Sequence, residues 1–225
     1  GAGKLMWKPH LWEPEKCSYK KRIFREQKVR SCLESLRSPI LFIGDSLLQF
    51  YRDEISLLSG KSSIQSEKLL RMHKLRGSVQ QLVPRLSRVL GEGQIYSAII
   101  LNSGAWDLRS TTASEYQTSL HLLVRLFRKS VKNRTRVIFR TTSAPKLPKN
   151  KRECERYPQR LDRIVRLNDI AVSVFHGAGY EIFDVFPSSL SASPHWYDDN
   201  LHLGSHGASS GVHAMHVQML LSMLC

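Results

Sequence analysis

The sequence predicts an α/β protein, a three-layer α/β/α sandwich whose central sheet is mostly parallel. Short apolar segments rich in branched residues recur along the chain, and longer helical patterns lie between them. Strands that alternate with amphipathic helices are joined by right-handed crossovers, which lay the strands parallel and cover both faces of the sheet. No repeat or Gly/Ser linker interrupts the 225 residues, so we expect one domain over 39–225 behind a disulfide-tethered N-terminal arm over 1–38.

Each predicted strand is a short apolar segment that ends in polar or turn residues. The four strand segments are 39–43, 98–101, 136–139 and 180–183. The predicted helices cover 46–58, 78–90, 114–130, 158–177 and 207–224. Ahead of the sheet, tryptophans and prolines precede Cys17 at spacings that fit neither a helix nor a strand, so the first residues are expected to have an irregular backbone.

The composition excludes several classes of protein. With 41% hydrophobic and 24% charged residues, the chain is neither disordered, collagen-like nor a coiled coil. No apolar run approaches the roughly 18 residues of a membrane span. The formal charge is +15, but no zinc-finger, helix-turn-helix or RNA-recognition signature accompanies it, so no nucleic acid is expected. A basic rim would instead attract an anionic partner.

Ligands of a parallel sheet bind beyond the carboxyl ends of its strands, so the residues that follow each strand are the candidates for function. Gly44, Asp45 and Ser46 follow the first strand and open a helix. A serine hydroxyl there is lifted above the sheet, and the N–H groups of the first helical turn suit a developing oxyanion. The alternative is that Asp45 or Ser46 only caps the helix.

Two further strands end in polar residues. Asn102 follows one and is placed to donate its side-chain amide into the same crevice, although an ordinary turn has the same composition. Arg140 ends another and brings a cation to the rim, where it binds substrate or forms a structural salt bridge. Trp106, Trp196 and Tyr197 are candidates to stack on a sugar ring, and packing in the interior is an equal alternative.

The loop before the last helix contains Asp199 three residues ahead of His202. A carboxylate in this place orients an imidazole through Nδ1 and leaves Nε2 to take a proton from a serine. Ser46 is the nucleophile that this pair requires. A solvated loop histidine is the alternative.

Four cysteines, an even number without a Cys-x-x-Cys pair, favour disulfides over a zinc site, and no other metal site is expected. A bond between Cys17 and Cys32 would tether the arm, and one between Cys154 and Cys225 would join a long loop to the C-terminus; other pairings stay open. Asn133 begins an N-glycosylation sequon. Together these features favour the secretory pathway over a cytosolic protein with free thiols. Gly1 to Gly3 are expected to be a vector remnant.

In this order the motifs resemble the SGNH/GDSL hydrolase superfamily and its PC-esterase branch, which includes trichome-birefringence-like and sialic-acid O-acetyltransferases and the neurexophilin-and-PC-esterase proteins. The segments that carry the resemblance are 12–17, 32–33, 42–46, 102–107, 140–141 and 199–202. The resemblance implies a flavodoxin-like fold, with Ser46 as nucleophile, His202 as general base and Asp199 as its orienting carboxylate. It implies oxyanion donors from the Ser46 N–H, the Gly77 N–H and the Asn102 side chain.

The resemblance further implies O-acetyl transfer to a glycan, or ester hydrolysis of an acetylated one, in the Golgi lumen or after secretion. The high positive charge favours an anionic glycan, sialylated or uronic-acid-containing. No bound cofactor is expected, because no phosphate-cradling Gly-rich loop is present, and the acyl donor is acetyl-CoA or an acetylated glycan. The alternative function is a non-catalytic module on the same fold, which binds polyanions or glycans or serves as an interaction module.

Overall fold

The computed structural model contains two sheets. It describes residues 6–8, 11–13, 26–36, 38–59, 70–71, 86–91, 95–105, 107–109, 111–132, 134–146, 160–192, 197, 202–203 and 211–225. The smaller sheet pairs β1 (Met6–Lys8) with β2 (Leu11–Glu13) antiparallel, with Trp7 opposite Trp12. This pairing contradicts the expectation of an irregular start, since Pro9 falls between the two strands and interrupts neither of them.

The larger sheet has five strands, all parallel to their neighbours. They are β3 (Ile40–Gly44), β4 (Leu70–Arg71), β5 (Ala98–Asn102), β6 (Arg136–Arg140) and β7 (Glu181–Phe183). Their order in the sheet is β4-β3-β5-β6-β7. The sheet therefore grows first to one side of β3 and then to the other, and ligands of such sheets bind in the crevice above the β3–β5 boundary.

Six helices accompany the strands in the described residues. They are α1 (Glu26–Ser35), α2 (Ser46–Ser59), α3 (Ala113–Ser130), α4 (Arg160–Gly177), α5 (Phe186–Leu190) and α6 (Gly211–Leu224). Helical residues also occur at 86–91, and a short 3-10 turn at Asp107–Arg109 follows β5. The longest described connections thus cross from one strand to the next through a helix, as parallel strands require.

The core lies on both faces of the larger sheet. Successive strand residues point to opposite faces, and every residue of β3 and β5 is buried. Leu41 and Ile99 belong to the apolar cluster that α3 and α4 cover. Phe42 and Ile100 belong to the cluster on the other face, which α1, α2 and α6 cover. This arrangement confirms the predicted three-layer sandwich.

The predicted strands 39–43, 98–101, 136–139 and 180–183 coincide with β3, β5, β6 and β7. The sequence did not predict β4, because two residues are too few to show a period. It also missed α1, which lies inside the expected arm and buries Val29 completely in the core. Of the predicted helix over 78–90, the structure describes the end, which is helical.

A disulfide joins Cys32 of α1 to Cys225 after α6, with Cα atoms 5.8 Å apart. Both pairings that the sequence favoured, Cys17 with Cys32 and Cys154 with Cys225, are therefore wrong. Proximity in sequence was misleading, because α1 and α6 lie on the same face of the sheet although 193 positions separate the two cysteines. Cys17 and Cys154 lie outside the described residues.

Replacing this pair, Cys32→Ser with Cys225→Ser, is expected to lower the free energy of unfolding by about 2–4 kcal/mol, because the unfolded chain regains the freedom of a long loop. Denaturant unfolding of the native protein and the double variant measures the loss. Non-reducing peptide mapping identifies the bond, and a map that joins Cys32 to Cys17 would contradict the pairing described here.

Candidate active site

The turn between β3 and α2 passes very close to β5. A Cβ atom on Gly44 would lie 3.1 Å from the carbonyl oxygen of Asn102 and 3.1 Å from Leu48 Cδ2. Any larger residue at this position would push these neighbours apart. Glycine therefore lets the end of β3 lie against the end of β5.

Asp45 caps α2, as one interpretation of the turn predicted. Its Oδ1 accepts a hydrogen bond from the Leu47 N–H at 2.9 Å, and its carbonyl oxygen accepts from the Leu48 and Gln49 N–H groups at 3.1 and 3.2 Å. Among the described residues, the N–H of Ser46 has no acceptor. An unbonded N–H at the positive end of a helix favours a negative charge beside it.

Ser46 pairs with His202 across the site. Ser46 Oγ and His202 Nε2 are 2.8 Å apart, although 156 positions separate the residues in sequence. When the imidazole holds its proton on Nδ1, Nε2 accepts the serine O–H, which is the geometry of a general base beside a nucleophile. The His202 ring also packs edge-on against Phe50, with ring centroids 5.2 Å apart. One helix thus supplies the serine and supports the imidazole.

Tyr197 fixes the backbone beside His202. It forms an antiparallel bridge with Leu203, and its hydroxyl lies 3.0 Å from the Ala144 carbonyl oxygen and 2.8 Å from that of Ser189. Burial raises the pKa of Tyr197 to about 12. The residue is therefore part of the interior, so the prediction that it stacks on a sugar was wrong and the packing alternative is confirmed.

Asn102 ends β5 next to the serine turn, and its side chain is almost fully buried. Its Nδ2 donates one hydrogen to the Arg140 carbonyl oxygen at 3.0 Å, and its Oδ1 has no hydrogen-bond partner among the described residues. The second hydrogen of Nδ2 is what Asn102 can offer to an oxyanion. Its role as an oxyanion donor remains a prediction.

Arg140 lies in the interior, not at the rim as predicted, with 1% of its surface exposed. It donates from Nη2 to the Tyr51 and Ser143 hydroxyls at 3.0 and 2.7 Å and from Nη1 to the Thr141 carbonyl oxygen at 3.0 Å. No carboxylate among the described residues pairs with it, so the salt-bridge alternative is not found either. The side chain lies on the face of the sheet that α2 and α6 cover, where it contacts Tyr51.

The structure contains a second serine–histidine pair. Ser188 Oγ lies 2.7 Å from His216 Nε2, while His216 Nδ1 lies 2.9 Å from the Tyr51 hydroxyl. His216 is completely buried, and burial, together with the nearby Arg140 guanidinium, lowers its pKa well below the usual value. A completely buried imidazole cannot reach a substrate from solvent, whereas His202 is only partly buried, which distinguishes this pair from Ser46 and His202.

Asp107, in the turn after β5, is a buried carboxylate for which the sequence analysis proposed no role. Its Oδ2 accepts a hydrogen bond from the Gly104 N–H at 3.1 Å and its Oδ1 from the Thr111 hydroxyl at 3.4 Å. Burial outweighs these hydrogen bonds and raises the pKa of Asp107 to about 6, and nearby Asp45 adds to the increase. No pattern in the sequence distinguishes such a carboxylate from an ordinary turn residue.

Several predicted site residues lie outside the described part of the chain, and their roles remain predictions. They are the orienting carboxylate Asp199, the oxyanion donor Gly77, the aromatic residues Trp106 and Trp196, and the glycosylation site Asn133. Among the residues that the structure does describe, no group of three or more His, Cys, Asp or Glu side chains is arranged to hold a metal ion.

No protein-family model matches the sequence, and no curated protein matches it significantly. Solved structures match its fold. A candidate SGNH hydrolase from Slackia heliotrinireducens is 13% identical over 81% of this chain and 98% of its own, with a TM-score of 0.57. A GDSL-like lipase from Bacteroides thetaiotaomicron is 12% identical over 89% and 98%, with a TM-score of 0.57.

A variant of an acetyl-xylooligosaccharide esterase from Geobacillus Stearmophilus is similar to the same degree. It is 15% identical over 84% of this chain and 94% of its own, with a TM-score of 0.57. The chain therefore has the fold of the SGNH/GDSL hydrolases, as the resemblance of its motifs implied. The PC-esterase branch is not tested by these structures.

Substituting Arg140→Ala is expected to lower the free energy of unfolding by about 2–4 kcal/mol, because the buried Tyr51 and Ser143 hydroxyls lose their donor. Tyr51→Phe removes one of these bonds and is expected to lower it by about 1 kcal/mol. Urea unfolding measures both. An Arg140→Ala variant that keeps its stability but has a raised KM for an ester would instead support the prediction that Arg140 binds substrate.

Asp107 is expected to make stability depend on pH. Because its pKa is about 6 in the folded protein and 3.8 without the surrounding fold, folding favours the protonated form. The free energy of unfolding should therefore fall by up to about 3 kcal/mol from this group as pH rises from about 4 to 6. The difference between native and Asp107→Asn unfolding curves isolates this effect, and a flat difference across that range would contradict it.

Proposed function

We propose that this chain is a serine-dependent acyl hydrolase or acyltransferase that forms an acyl-enzyme on Ser46. The observation that carries the proposal is the 2.8 Å contact between Ser46 Oγ and His202 Nε2. It lies at the carboxyl end of β3, at the boundary where parallel sheets of this order bind ligands. The fold, which the chain shares with lipases and acetyl esterases, supports the same chemistry.

The reaction proceeds in two steps. His202 Nε2 takes the Ser46 proton as Oγ attacks the acyl carbonyl, and the tetrahedral intermediate expels the leaving group, the alcohol of an ester or the thiol of acetyl-CoA, which receives the proton from His202. An acyl group is then esterified to Ser46. Water or a sugar hydroxyl attacks this ester with His202 again as the base, which releases the acid or transfers the acyl group and restores the serine.

Three hydrogen-bond donors are proposed to stabilise the oxyanion of each step. The Ser46 N–H, which no described acceptor uses, is the first of them. Gly77 N–H and the second Nδ2 hydrogen of Asn102 are the proposed partners, and each such donor contributes a few kcal/mol. Asp199 is proposed to hold the His202 tautomer through Nδ1.

The proposed substrates are O-acetylated glycans, or glycan acceptors of acetyl groups, as in the PC-esterase branch. The acetyl-xylooligosaccharide esterase among the similar structures supports a sugar ester. The formal charge of +15 supports an anionic glycan, sialylated or containing uronic acids. Trp106 and Trp196 are proposed to stack on its rings, and acetyl-CoA or an acetylated glycan to donate the acyl group, with no cofactor bound.

We place the protein in the secretory pathway, in the Golgi lumen or outside the cell. The disulfide between Cys32 and Cys225 supports an oxidising compartment, and Asn133 is the proposed site of an N-glycan there. None of the helices that the structure describes is both long and apolar enough to span a membrane.

Incubation with p-nitrophenyl acetate tests the acyl-enzyme. Intact-mass spectrometry of the native protein is expected to show an acetyl adduct of about 42 Da, or steady release of nitrophenol where deacylation is faster. Ser46→Ala should lose the adduct and lower turnover at least about a thousandfold, and His202→Ala should do the same, because the two residues act as one unit.

Ser188→Ala is the matched control, since Ser188 also contacts a histidine but one that is completely buried. It should keep both the adduct and the turnover. An adduct that follows Ser188 instead of Ser46 would overturn the assignment. A folded native protein that shows neither adduct nor turnover would favour the alternative of a non-catalytic glycan-binding module.

A further inference from the structure

The second half of α3 and the turn after it carry a basic stripe. The stripe consists of exposed cations on the helix and just beyond its end. Arg125 lies three positions before Arg128 and four before Lys129 on α3, and Lys132 and Arg134 follow the end of the helix. Residues at these spacings lie one above the other on an α-helix. The segment 125–134 contains no Asp or Glu, so its positive charge is not offset locally.

Acidic side chains of the described residues do not neutralise the basic stripe. The ion pairs of the described residues involve other cations, since Arg136 pairs with Glu181 at 2.6 Å and Arg52 pairs with Asp53. No described residue forms an ion pair with any cation of the stripe. Like charges four positions apart repel each other on a helix, so the stripe is unfavourable to the free protein.

Favourable contact with the negative end of the helix explains only part of the stripe. Arg128 and Lys129 lie in the last turn of α3, where cations complement the helix dipole. Arg125 lies before that turn, and Lys132 and Arg134 lie beyond the C-cap residue Val131. The helix dipole therefore accounts for two of the five cations of the stripe.

The basic stripe lies at the opposite end of the sheet from Ser46. The capping residue Thr112 starts α3 shortly after the carboxyl end of β5, and the helix ends just before β6 begins. The 18 residues of α3 span about 27 Å. A small ester bound at Ser46 therefore does not reach the stripe, whereas a long chain can contact both.

We propose that the basic stripe is a docking surface for an anionic polysaccharide, separate from the catalytic crevice. This inference rests on the proposed function, because it takes the polymer to be the glycan whose acetyl esters are processed. A membrane surface fits less well, since Leu122 is the only large apolar side chain exposed on α3 and provides no apolar patch for insertion. A polymer held at the stripe keeps its other units at a high local concentration near Ser46.

Binding of size-fractionated heparin tests the proposal. All chains carry Ser46→Ala, so that turnover does not affect the dissociation constant. Each is measured with Asn133 retained and with Asn133→Gln, because Asn133 lies between the stripe residues Lys132 and Arg134 in sequence. The stripe variant carries Lys129→Glu and Lys132→Glu, which reverse two charges of the basic stripe. The control variant carries Arg30→Glu and Arg166→Glu, which change the net charge by the same amount at exposed positions on α1 and α4.

The stripe variant is expected to bind heparin about tenfold more weakly at low salt, and the control variant to change by less than about twofold. Added salt should remove this difference, because it screens exposed charges. Equal weakening in both variants, no heparin binding, or stronger binding to phosphatidylserine vesicles than to heparin would each overturn the proposal.

This result is independent of the acyl-enzyme assay. The binding chains have no nucleophile, so a failure to bind heparin leaves the proposed esterase chemistry untouched. Conversely, if the native protein formed no acetyl adduct, weaker heparin binding in the stripe variant alone would still have to come from the basic stripe. With Ser46 restored, the stripe variant should hydrolyse p-nitrophenyl acetate at the native rate.

Discussion

The carboxyl ends of β3 and β5 approach each other so closely that a side chain on Gly44 would have to displace its neighbours. A Cβ there would lie 3.1 Å from the backbone of Asn102. The close contact lies directly before the turn into α2, where Asp45 caps the helix. Ser46 then projects above the boundary between the two strands, which is the position that His202 reaches from the far end of the chain.

Behind this edge, a polar cluster joins the elements that carry the site. Tyr51 belongs to the same helix as Ser46 and contacts both Arg140 on β6 and His216 on α6. Burying a cation without a carboxylate is costly unless its hydrogen bonds are nearly complete, and of the three guanidinium nitrogens of Arg140 only Nε lacks a partner among the described residues. The cluster therefore fixes the direction of α2 through directional bonds as well as apolar packing.

The sequence was sufficient for the layers of the fold, because each strand shows as a local apolar pattern, and it predicted Ser46 and His202 as a pair whose side chains the structure places 2.8 Å apart. It was not sufficient for Arg140. Strands buried on both faces are apolar at every position, so their pattern does not show which way a terminal residue points. Tyr197 was also misread, since its burial depends on a backbone bridge to Leu203 that no local pattern reveals.

The disulfide between α1 and α6 has a consequence for biosynthesis. Ribosomes make proteins from the N-terminus, so Cys32 emerges long before its partner Cys225. Cys17 and Cys154 also emerge before Cys225 and can react with Cys32 first. Thiol–disulfide exchange does not distinguish the native partner from an early one until α6 has packed against the sheet. The native bond is thus one of the last to form, and the yield of protein should depend on an oxidoreductase that reopens premature pairs.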